Sequence, residues 1–438
     1  MMYTVIYGIN ETTTLFLNSR FNKGSNIFAC TKGGESYQGE PSLSLEQLVK
    51  MNRNEIDRVV ICSEFVAEIS ANLINNGFTL EQLYFFDYHK KIPVPLTDIS
   101  LSSVSKNNTL YAFYDLSFNL PCYDVTVFCV LAELKRKSLG LDHIHFVVVP
   151  SRSEQGGHLG SATYFSSVDY QWRIDKILRG NFECIPSCAG ISVLPLREDA
   201  QPLTKNKHLF PADYTLEYRD KTLATSDLPR TRVTNHDFCS FSAPSNATVL
   251  VNNFVQRLLK GRKLITLTLR EYAYSPERNS NLKEWAKFLA TLNNQEYLIV
   301  VIRDTYHSFD KEPEEFADLD VHYMPAASLD FALRVAFYQT AFVNFSVNNG
   351  PTLVLNFIKD CRYINFIWTN EKNPAISPSL FKKLGIPIGE QYWFRQNELQ
   401  HLVWENDSFE AIDQAFEHFL TLHEKHYLSS NEANHVSE

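Results

Sequence analysis

Asn348, Asn349, Gly350 and Pro351 follow the apolar run 341–347 and precede the helix-like stretch 352–359. Proline suits a first helical position, where its missing N–H would have no partner. The glycine before it lets the backbone turn tightly and lets a ligand approach. The free N–H groups and dipole of a helix start then favour an anion, usually phosphate. The same four residues also write an ordinary strand-to-helix turn, so the surroundings must discriminate. Arg270 and Arg278 follow the apolar run 264–269, and Arg303 follows 297–302. A guanidinium presents a planar fork that matches phosphate oxygens. Each arginine alone reads more readily as a solvated surface charge; together, beside a glycine turn, they point to a phosphate-bearing ligand.

Groups able to move a proton lie earlier in the chain. Asp115 ends a strand-like run, and Asp124 opens the helix-like segment that follows. A carboxylate there can act as base toward a hydroxyl, and Asp is also a favoured helix N-cap. His158, within the Gly- and Ser-rich stretch 151–161, is a third candidate. At the N-terminus, Gly8 keeps only the first glycine of a dinucleotide fingerprint. The bulkier residues after it would crowd a pyrophosphate and Glu11 would repel it, so NAD is not expected there.

The elements that must hold these residues alternate between strand and helix, the pattern of parallel α/β sheets. In the first 95 residues, strands are expected at 3–7, 26–31, 58–62 and 82–87, with helices at 11–21, 44–51 and 64–76. Asn76-Gly77 supplies a left-handed helix end. Pro93, Pro95 and 100–108 read as a linker. A second domain, 105–255, carries strands at 110–116, 145–149 and 191–196 and helices at 124–137 and 172–178; the polar segment 197–245 shows no clear pattern. The third, 260–438, carries strands at 264–269, 297–302, 321–324, 341–347 and 363–367. Its helices are expected at 281–292, started by Asn281 with Glu284, and at 330–340, capped by Ser328. The last amphipathic helix, 409–427, is expected to pack across both C-terminal lobes.

Composition narrows the functions. The chain has 438 residues and 44% apolar content, with 31 Phe and 21 Tyr, ample for several packed cores. Net charge is −9 with no long basic run, which argues against a nucleic-acid partner. The eight cysteines form no disulfide framework, and the pair Cys184 and Cys188 has no companion at metal spacing. No signal-peptide pattern opens the sequence and no run of about 18 apolar residues appears. A reduced, soluble, cytoplasmic protein is expected.

Within residues 1–90, YGINETTTLFLNSR, Gly39-Glu40-Pro41, LEQLVKM, DRVVIC and FTLEQLYFFD resemble the small Rossmann-like domain attached to many bacterial sugar-modifying proteins. Residues 105–430 resemble two-lobed GT-B glycosyltransferases of the heptosyltransferase kind, through TLTLRE, RNSNLKEW and VNFSVNNGP. The resemblance implies an α/β fold: an N-terminal Rossmann-like domain, then an acceptor lobe and a donor lobe in GT-B arrangement. It implies sugar transfer from a nucleotide sugar to a glycan or related acceptor in polysaccharide biosynthesis, with no metal or other cofactor. Asn348, Asn349, Gly350 and Arg270 then match the donor-diphosphate site, and Asp124 is nearest to the catalytic carboxylate. The family's Asp-Thr/Ser-Gly turn is Asn-Asn-Gly here, and Thr352-Leu353 stands where a histidine usually follows. A nucleotide-sugar epimerase on the same fold and a non-catalytic binding scaffold are the alternatives.

Overall fold

The computed structural model describes residues 2–30, 33–34, 36–97, 108–152, 166–217, 227–229, 235–273, 275–373 and 376–435. The chain divides into two compact units, Met1–Ser105 and Lys106–Glu438.

In the first unit, β1 (Tyr3–Tyr7), β2 (Asn26–Ala29), β3 (Ile56–Ile61), β4 (Leu83–Asp87) and β5 (Ile92–Pro95) form one sheet in the order β2-β1-β3-β4-β5. It is parallel except for β5, which runs antiparallel to β4. The prolines expected to mark a linker therefore sit on an edge strand, where a missing N–H costs no ladder bond. At the close of helix Val66–Asn75, Gly77 adopts φ +89° and Phe78 N–H donates to the Leu73 carbonyl at 3.1 Å. Beyond β1, Asn10 accepts from the Thr12 and Thr13 N–H groups and donates to the Cys62 carbonyl at 2.7 Å. A Cβ on Gly8 would lie 2.5 Å from that same carbonyl. The groups a pyrophosphate would use at this strand end are engaged by the chain itself.

The second unit holds two Rossmann-like lobes. Its first sheet joins β6 (Thr109–Asp115), β7 (His143–Val149), β8 (Cys188–Val193) and β9 (Leu209–Phe210) in the order β8-β7-β6-β9, all parallel. The short β9 falls in the segment that showed no pattern; two residues are too few for a periodicity to register. Helix α1 (Val125–Ser138) covers one face, with Val125, Phe128, Cys129 and Ala132 buried.

The second sheet orders β10 (Lys263–Thr268), β11 (Tyr297–Ile302), β12 (Val321–Tyr323), β13 (Val343–Val347), β14 (Tyr363–Phe366) and β15 (Gln400–Val403) as β12-β11-β10-β13-β14-β15, again all parallel. Leu298, Val300 and Ile302 point to the inner face. There they join one apolar core with Leu110, Ala112 and Tyr114 of the first sheet, through Val251 and Val255 of helix Ser245–Leu259 and Val335 and Phe337 of helix α2 (Phe331–Thr340). Ile299 and Val301 point to the outer face, against Trp285, Phe288, Ile412 and Phe416.

The last helix, Phe409–His435, lies on that outer face alone. The expectation that it would cross both lobes is corrected: its apolar stripe matches the outer stripe of β10, β11 and β13. Two caps also differ from expectation. Asp407 accepts from Asn281 N–H and Trp285 Nε1, each at 2.8 Å, while Glu284 accepts from Phe409 N–H. Helix α2 is capped by Asp330, which accepts from Leu333 N–H at 2.9 Å, and not by Ser328. Among the described residues, no helix is long and apolar enough to cross a membrane.

Candidate functional site

The strand order of the second sheet reverses between β10 and β13. In parallel α/β sheets the carboxyl ends at such a reversal leave a crevice, because the connections depart to opposite sides. Leu269-Arg270 leaves one of these strands and Asn348-Asn349-Gly350 the other. A cavity of about 370 Å³ opens there, bounded on the first-lobe side by Tyr123, Asp169, Trp172 and Arg173. Five arginines (173, 270, 278, 303 and 334) line it against two acids, Asp169 and Asp304. The two lobes thus face one cleft, and that cleft is cationic in a chain of net charge −9.

Of the residues expected to hold the donor, Arg270 and Arg278 both line this cavity. Arg270 is 5% exposed; Nη1 donates to the Ser275 carbonyl at 3.0 Å and to the Asn279 side chain. Burial, and then repulsion from Arg278, draw its pKa down to about 10. Two guanidiniums held this close favour an anion between them. Arg278 Nη2 donates to the Asn348 carbonyl at 3.3 Å, which ties the two sequence signals together. Arg303 touches the cavity, but its fork is taken by Glu271 in a bidentate pair at 2.6 and 2.9 Å, with Nη1 on the Lys311 carbonyl.

The glycine turn behaves differently from its expected role. The helix after it, Pro351–Phe357, is a seven-residue 3₁₀ segment. Thr352 N–H donates to the Asn349 side chain at 3.2 Å, and Leu353 N–H to the Gly350 carbonyl. These N–H groups are therefore not presented to a ligand. Gly350 has φ −58°, which any residue adopts. Its lack of a side chain matters because the Tyr123 ring lies over it: a Cβ would meet Tyr123 Cδ2 at 2.7 Å. The N–H groups of Thr352 and Leu353, in the first turn after the glycine, are thus bonded within the chain. Asn349 and Gly350 line the cavity, but the glycine serves a close contact between lobes.

Among the expected proton carriers, Asp115 stands apart from the cavity. Its carboxylate accepts from Arg197 at 2.6 and 2.9 Å, from the Tyr214 hydroxyl at 2.8 Å and from Ser117 N–H. Burial alone would raise its pKa, but these donors outweigh it and hold the pKa below the ordinary value. A carboxylate so fully bonded locks the end of β6, a role the sequence did not suggest. Asp124 heads α1 without making a side-chain capping bond. Solvent reaches it, yet protein surrounds it closely enough that desolvation raises its pKa, with a Cys122 hydrogen bond acting the other way. Its neighbour Tyr123 reaches the cavity. His158 lies outside the described residues.

Several cavity residues were not singled out from sequence. Arg334 is the sole charge in the apolar helix FALRVAFYQT, and that isolation was the available signal. Asp304 is the second residue after β11, a position the rule of strand carboxyl ends covers. Asp169 and Arg173 required knowing that their helix (Ser167–Arg173) turns toward the second lobe. There the Tyr306 hydroxyl donates to Asp169 at 2.8 Å, and Tyr306 stacks on Tyr272 at 6.3 Å and 14°.

No protein-family model and no curated protein matches the chain. Among solved structures, it is similar to a glycosyl transferase family 9 protein from Veillonella parvula, at 12% identity and TM-score 0.42, over 72% of this chain and 91% of that one. It is similar to ADP-heptose lipopolysaccharide heptosyltransferase II from Escherichia coli at 9% identity and TM-score 0.32, over 97% and 100%. A putative UDP-N-acetylglucosamine 2-epimerase from Listeria monocytogenes aligns at 10% identity and TM-score 0.26, over 96% and 88%.

Proposed function

We propose that the protein transfers a sugar from a nucleotide-sugar donor to a glycan or related acceptor. The observation that carries this reading is the arginine-lined cavity at the strand reversal of the second sheet, faced by the first lobe. A leaving diphosphate develops negative charge as the glycosidic bond breaks. Preorganised cations in a water-poor site stabilise that charge without further reorganisation. Arg270 and Arg278 take this role. Asp124, on the first lobe, takes the acceptor's hydroxyl proton as its oxygen attacks the anomeric carbon; the bond from that carbon to the diphosphate breaks, and the diphosphate leaves with the electron pair. Desolvation shifts the Asp124 pKa upward, the direction that favours a base.

The test is to incubate the full chain with a panel of nucleotide sugars and mixed glycan acceptors and to measure released nucleoside diphosphate. Release that depends on acceptor is expected. The Asp124→Asn variant should slow it by about 10²–10⁴-fold at unchanged melting temperature and donor affinity. Full turnover in Asp124→Asn excludes this base; conversion of donor to an isomer without acceptor excludes transfer.

A further inference from the structure

We propose that Arg334, a residue of helix α2, is the fixed anion anchor of the cavity, gripping the phosphate oxygens of its ligand. Arg334 is 3% exposed and lines the cavity. Nε donates to the Ala327 carbonyl at 2.8 Å, and the guanidinium lies beside the Tyr338 phenol. That phenol is itself bonded to the Thr268 hydroxyl at 2.8 Å. Among the described residues, no carboxylate stands within ion-pair distance of Arg334.

A buried cation without an anionic partner is costly, and proteins retain such an arrangement where something else supplies the counter-charge. The contrast with Arg303 is instructive. Arg303 reaches the same cavity and carries Glu271 as a bidentate partner, so its charge is already balanced. The hydrogen-bond partners of Arg334 are neutral and fix the position of its fork; Asp304 of the same cavity acts on it from beyond ion-pair distance. Beyond the Nε bond to Ala327 and the hydrogen bond to the Tyr338 phenol, the terminal nitrogens keep N–H groups of the kind that grip phosphate oxygens. The surroundings favour phosphate over a single carboxylate, since Arg270, Arg278 and Arg173 add further positive charge around a space of about 370 Å³.

The identity of the ligand as a nucleoside diphosphate rests on the nucleotide-sugar reading; the anchoring role of Arg334 does not. Binding of inorganic pyrophosphate, UDP, ADP and GDP to the full chain would be measured by calorimetry and thermal shift, on wild type, Arg334→Met and Arg334→Lys. Wild type is expected to bind pyrophosphate and at least one nucleoside diphosphate. Arg334→Met should lose about 10–100-fold in affinity for both, and Arg334→Lys, charged but without the fork, should fall between. Without ligand, Arg334→Met should melt at or above the wild-type temperature, because an unbalanced buried charge has been replaced by an apolar chain. A merely structural arginine would instead lower that temperature, and this result overturns the proposal. Unchanged anion affinity in Arg334→Met overturns it equally, as does a wild type that binds none of the four anions. A wild type that binds pyrophosphate through Arg334 yet turns over no nucleotide sugar would defeat the transfer reading and leave the anchor standing.

Discussion

At the scale of single residues, the charged groups of the second unit divide by what neutralises them. Asp115 and Arg197 balance one another inside the first lobe, with the Asp115 side chain 3% and the Arg197 side chain 12% exposed. Asp115→Ala would leave Arg197 buried without its partner and should destabilise the unit by about 3–5 kcal/mol, read from urea unfolding. The pH dependence has a definite sign. The folded-state pKa of Asp115 is depressed, so its contribution is complete above the unfolded value of about 3.9 and is lost as pH falls through the lower folded value. Wild type should therefore lose stability more steeply than Asp115→Asn in the acid limb below about pH 4. Arg270 and Arg278, singled out in the sequence because they come after a strand end, line the cavity. The sequence could not separate Asp115 from Asp124, because the partner that occupies Asp115 lies 82 positions away in the chain.

At the scale of elements, the buried strands were readable because each is a largely apolar run: Tyr3–Tyr7 and Tyr297–Ile302 occur where expected, residue for residue. The helix after Gly350 was not. Proline at its start and apolar residues within it suit an α-helix, but the chain forms a 3₁₀ segment whose Val354, Leu355 and Phe357 are drawn into the core shared by the lobes. Tertiary packing decided the form there. The Tyr123–Gly350 contact gives a direct test of this junction. Gly350→Ala forces the Tyr123 ring to move and should cost about 1–3 kcal/mol. In Tyr123→Ala the same glycine substitution should cost nearly nothing, so a double-mutant cycle should return a coupling of about 1–3 kcal/mol. Additive effects would mean that the ring does not rest on the glycine in solution.

At the scale of the whole second unit, one apolar core runs through both lobes. Phe331 of α2 is 5% exposed, and its Cβ lies where a side chain on Gly180 of the first lobe would be, 2.8 Å away. Phe331→Ala should cost about 3–5 kcal/mol, and residues of both lobes should report it together in one unfolding transition by hydrogen exchange. Separate transitions for the two sheets would refute a common core. The shared core also bears on how a ligand gets in. Swinging the lobes apart would bare their joint apolar surface, at a cost of about 25 cal/mol per Å². At the surface end of the cavity, Tyr306 is 61% exposed and held across the gap by a single hydroxyl on Asp169. Turning of that ring would break one hydrogen bond only, and it belongs to the fast motions of exposed side chains rather than to those of whole lobes.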